Sequence, residues 1–151
     1  MPDSDKYVCG PVEQWVAKAE DDFGVAEILR KTAAPYQAII CFHCQQAVEK
    51  LLKAYLTAHQ IEFEKTHSIG RLLDLAETVD AQLASALADT TRLTPFAAQM
   101  RYPGDMPEPD AGESQALFEI TSKAREILLR QIVNAPKPKI TDGMTSNGGR
   151  E

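Results

Sequence analysis

The chain has 151 residues, a formal net charge of −6, 44% hydrophobic residues and 25% charged residues, the composition of one ordinary globular domain. A domain of this size buries roughly 68–70% of its unfolded surface and needs no disulfide or metal to fold. No apolar run approaches the ~20 residues of a membrane helix, and Met1-Pro2-Asp3-Ser4-Asp5 lacks the basic and apolar parts of a secretory signal. A cytoplasmic protein with no membrane attachment is therefore expected. The acidic balance argues against non-specific binding along duplex nucleic acid, although a local basic pocket can still hold a nucleotide. Three cysteines (Cys9, Cys41, Cys44) do not make a disulfide framework.

Residues 1–11 are expected to be a flexible lead-in. From Val12 to about Lys31 the residues Val12, Trp15, Val16, Ala19, Phe23 and Ala26 follow the spacing of one buried helical face. Arg30 and Lys31 close the helix in the sense its dipole favours. Gly24 costs about 1 kcal/mol there relative to alanine and would suit the close approach of a neighbouring helix. Ala34-Pro35 interrupts the pattern. A second helix is predicted from near Pro35 to about Gln60, too broadly apolar to pack against one neighbour only.

Thr66 or Ser68 can cap a third helix carrying Ile69, Leu72, Leu73 and Ala76. Ala81 to Met100 reads as helix with a break at Thr94-Pro95. The stretch from Arg101 to Pro109, with three prolines and a glycine, reads as a loop. Asp110-Ala111-Gly112-Glu113 has the form of a capping box for a last helix to about Val133. Residues 135–151 are expected to be a disordered tail. No segment alternates like a strand. The fold expected over 12–134 is all-α, an up-and-down bundle of about five helices.

The second helix carries the unusual chemistry. His43, Gln46, Lys50, Lys53 and Thr57 fall on one stripe, with Gln45, Glu49 and Lys53 on the next. Periodicity alone fits either a solvated face or a polar groove offering lysines to phosphate and amides to a base or sugar. Cys41-Phe42-His43-Cys44 supplies two of the four ligands a structural zinc needs, and no second pair follows, so no metal and no cofactor is expected. His67 stands at the mouth of the third helix, where free amides suit an anion. Arg101 can fork two bonds to a phosphate, and Tyr102 adds a stacking face.

Trp15 and Ala19 with Asp21-Asp22, then Gln45-Gln46-Ala47-Val48-Glu49-Lys50-Leu51-Leu52-Lys53-Ala54, then Thr66-His67-Ser68-Ile69, then Leu93-Thr94-Pro95 and Arg101-Tyr102-Pro103 appear in this order. The ordered set resembles the HEPN family (higher eukaryotes and prokaryotes nucleotide-binding). That resemblance implies a helical bundle, often a homodimer. It also implies partnership with a separately encoded minimal nucleotidyltransferase, commonly in a toxin–antitoxin-like pair. Many family members are metal-independent ribonucleases, marked by an Arg followed four to six residues later by a His. Arg101 matches the first half, but no histidine follows His67. The expected function is a module that binds a nucleotide or RNA, or docks a nucleotidyltransferase, through Gln46, Glu49, Lys50, Lys53, His67, Arg101 and Tyr102. The alternatives are a ribonuclease with Arg101 and His67 as its working pair, and a structural dimeric interaction module.

Overall fold

The computed structural model describes residues 10–32, 36–97 and 108–136. Five α-helices lie within them: α1 (Gly10–Lys31), α2 (Gln37–Ala58), α3 (Ile69–Glu77), α4 (Ala81–Ala86) and α5 (Ala111–Val133). A 3₁₀ segment, Ala88–Phe96, follows α4. Among the described residues there is no strand, and the fold is an all-α bundle. The expected lead-in before Gly10, the tail after Pro136 and the loop residues Arg101 to Pro107 lie outside the described residues.

α1 begins two residues earlier than the apolar pattern indicates, because Pro11 sits in the first turn, where its missing N–H costs nothing. α2 is the central rod and packs against α1, α3, the 3₁₀ segment and α5. Ile40, Cys41, Cys44, Ala47, Val48, Leu51, Leu52, Tyr55 and Leu56 are all buried along it. It stops at Ala58. The Gln60 N–H donates to the Thr57 carbonyl at 3.0 Å and the Ile61 N–H to the Leu56 carbonyl at 2.9 Å, with Gln60 at φ 60°. This is a Schellman ending with glutamine in the left-handed position.

Ser68 caps α3 by accepting from the Arg71 N–H, and Asp110 with Glu113 forms a complete capping box at α5. Two expectations are corrected. An added Cβ at Gly24 meets nothing within 4 Å, so no helix among the described residues approaches closely there. The helix expected from Ala81 to Met100 breaks at Leu87, not at Thr94, and continues as 3₁₀ through Pro95. The buried residues Leu87, Thr90, Leu93 and Phe96 recur every three, the period of a 3₁₀ turn. The Thr90 and Thr91 hydroxyls donate to carbonyls three residues back, at 2.6 and 2.9 Å, which favours the tighter winding.

α5 is tied to α1 by aromatic and ionic contacts. Phe23 stacks on Phe118 with centroids 5.3 Å apart. Arg30 lies over the outer face of Phe118 at 4.4 Å, and Arg125 over Phe23 at 4.7 Å. Arg125 also forks both its Nε and Nη2 to the Glu20 carboxylate, one bond per oxygen. The order is thus cation, ring, ring, cation.

Candidate functional site

The polar stripe of α2 is not a solvated face. Gln45 is fully buried, and Glu49 and Lys53 are 2% and 7% exposed. Charges that deep persist only when paired and hydrogen-bonded, and the structure supplies every partner. The Lys53 Nζ donates to Glu49 Oε2 at 2.8 Å. It also sits over the rings of Trp15, at 5.3 Å, and Phe63, at 5.9 Å. Trp15 comes from α1 and Phe63 from the α2–α3 connection. The ammonium is therefore enclosed by two aromatic faces and a carboxylate.

Glu49 accepts from three directions. Besides Lys53, the Gln45 amide donates to Oε1 at 3.2 Å, and His67 Nδ1 lies 3.2 and 3.1 Å from Oε1 and Oε2. The same Gln45 amide donates to the His67 carbonyl at 3.1 Å, so backbone and ring of His67 are both located from α2. The His67 side chain is nevertheless 71% exposed. A carboxylate on Nδ1 fixes that nitrogen as the donor and leaves Nε2 for a ligand. Nε2 has no partner among the described residues.

A second cluster lies on the α1 side of α2. Asp22, itself buried, takes His43 Nδ1 on Oδ1 at 2.9 Å and Lys50 Nζ on Oδ2 at 2.6 Å. Gln46 stands between the clusters. Its amide donates to Gln45 Oε1 at 2.7 Å and reaches the Ala97 carbonyl at 3.5 Å. Ala97 is four residues before Arg101. Arg101 and Tyr102 themselves lie outside the described residues.

The seven residues expected at a site thus divide. Gln46, Glu49, Lys53 and His67 form one connected network, and Lys50 joins Asp22 in the other. Lys50 and Lys53 each have an internal carboxylate. The sequence places His43 on the polar stripe and Asp22 in the family pattern without marking either as a site residue, and nothing in it marks Phe63. The signal for Asp22 was its place one turn before Ala26 on the buried face of α1.

Cys41 and Cys44 are buried structural thiols. Burial pushes them up to about 11 and about 12, against hydrogen bonds with Ser114 and Thr121 that pull the other way. Among the described residues no three His, Cys, Asp or Glu side chains gather as a metal site. No helix among them is long and apolar enough to cross a membrane.

No curated protein is similar enough to the chain to count as a match. A crystal structure of an archaeal HEPN homologue superposes with a TM-score of 0.60 at 22% identity, over 80% of this chain and 97% of that one. At that identity the likeness speaks for the fold. The HEPN domain pattern itself matches residues 12–132, from α1 to the end of α5. With the pattern covering most of its length, the chain belongs to the HEPN family.

Proposed function

We propose that this protein is a HEPN-domain binding module that holds a nucleotide or the phosphate of an RNA strand at the mouth of α3. His67 is the contact, and Lys50 and Lys53 brace the fold. One observation carries the reading: a buried carboxylate grips Nδ1 of His67 while most of that side chain faces solvent. An imidazole oriented in this way presents Nε2–H to a phosphate when charged, and a lone pair to a hydroxyl when neutral. Arg101 and Tyr102, which follow Ala97 in sequence, would add a guanidinium fork and a stacking face.

The test is a fluorescence anisotropy titration with a labelled single-stranded RNA. His67→Ala is expected to weaken binding about tenfold or more, the ~1.5–3 kcal/mol of one charge-assisted hydrogen bond, while the protein stays folded with Gln45 and Lys53 still on Glu49. A site with a Kd near 0.1 mM for a mononucleotide should also add ~1.4 kcal/mol to stability at 1 mM ligand. Unchanged RNA affinity in His67→Ala overturns the assignment.

A second reading is docking of a minimal nucleotidyltransferase in a toxin–antitoxin-like pair. It is favoured by four exposed apolar side chains on α1 and the start of α2: Val25, Ile28, Tyr36 and Ile39. Exposed apolar side chains that gather into one patch mark protein contacts. Val25→Asp with Ile39→Asp should then abolish co-purification with such a partner and leave RNA affinity intact.

A further inference from the structure

The Asp22 cluster repeats the Glu49 cluster. In each, a buried carboxylate holds one lysine ammonium and one imidazole, and in each the imidazole is gripped through Nδ1. In each, Nε2 has no partner among the described residues. The His43 side chain is 24% exposed. The two clamps sit on neighbouring faces of one helix, with Gln46 between them bonded to Gln45 of the Glu49 cluster.

Helix geometry sets their separation. His43 and Glu49 are six residues apart on α2, about 9 Å along the axis, and about a third of a turn apart around it. His67 stands beyond Glu49 from α2, bonded to its carboxylate. The anchor points of the two imidazoles are therefore well separated along α2. They suit separate phosphates of one strand laid across Gln46. Lysines could not serve this purpose here, because both are already paired within the clusters.

We propose that His43, oriented by Asp22, is a second strand contact, and that the site takes a single-stranded oligonucleotide spanning several phosphates in preference to a mononucleotide. The proposal rests on the reading of His67 given above. Its consequence is a length dependence: a mononucleotide engages one imidazole, and a longer strand engages both.

The experiment compares a hexauridylate carrying a 5′-phosphate with uridine 5′-monophosphate, on the full chain, by isothermal titration. The wild type is expected to bind the hexamer at least about tenfold tighter than the mononucleotide. His43→Asn keeps a side-chain N–H for Asp22 but has no atom at the place of Nε2. It is expected to bring hexamer affinity down to near the mononucleotide level while leaving the mononucleotide and the melting temperature unchanged. His67→Ala is expected to weaken both ligands. If the hexamer binds no tighter than the mononucleotide, or His43→Asn keeps the whole gain, the second contact is wrong and His67 still stands. If neither ligand binds, or His67→Ala changes neither, the nucleotide reading fails along with it.

Discussion

Glu49→Ala is expected to lose about 3–5 kcal/mol of folding stability in urea unfolding, the cost of leaving one partner of a buried ion pair alone. The Lys53 side chain is 8% exposed, with its ammonium over the rings of Trp15 and Phe63. Removing Glu49 also takes acceptors from the Gln45 amide and the His67 ring. A domain whose total stability is about 5–15 kcal/mol feels that loss strongly. The double variant Glu49→Met with Lys53→Met separates charge from packing. It should recover most of the loss, because well-packed apolar residues often replace a buried ion pair at little cost. A loss below about 1 kcal/mol in Glu49→Ala would mean the stripe is solvated, as periodicity alone allowed.

Phe118→Ala is expected to cost about 3–5 kcal/mol, the range for a large buried aromatic. Phe118 is 5% exposed, and its ring is stacked between Phe23 and the Arg30 guanidinium. Deleting it opens a cavity and strips Arg30 of the face it covers. Arg30 Nε is already a buried donor with no acceptor among the described residues, so it has nothing to fall back on. Phe118→Leu should cost less, since much of the volume stays and only the stacking geometry goes. Equal losses for both variants would show that ring stacking, not volume, joins α1 to α5 at this point. A loss under about 1.5 kcal/mol for alanine would remove Phe118 from the core.

What the sequence revealed was local, and what it hid was distant. Ser68, Asp110 with Glu113, and Ala34-Pro35 act within a turn of their own position, so the ends of α2, α3 and α5 could be read from a few letters. The 3₁₀ segment was equally local, yet it was read as α-helix. Leu87, Leu93 and Phe96 are buried apolar positions, but the spacing of three is complete only with Thr90, a polar letter that no apolar pattern includes.

The fate of Glu49 and Lys53 was not readable in the same way. Their i,i+4 spacing is that of any exposed helical pair. What covers the Lys53 ammonium is Trp15, on α1, and Phe63, which lies past the end of α2. Asp22 and Lys50 are likewise 28 residues apart, and only the packing of α1 on α2 brings them together. His67 could be singled out from its place before a helix, but not its carboxylate.

The most direct test of the division between bracing lysines and contacting imidazoles is an NMR titration with the phosphorylated hexauridylate. It would follow the ring protons of His43 and His67 and the Nζ protons of Lys53 together. Both imidazoles are expected to shift with ligand along one binding curve, while the Lys53 ammonium, held by Glu49, stays where it was. A Lys53 signal that moves or vanishes with added RNA, over histidines that do not respond, would contradict it.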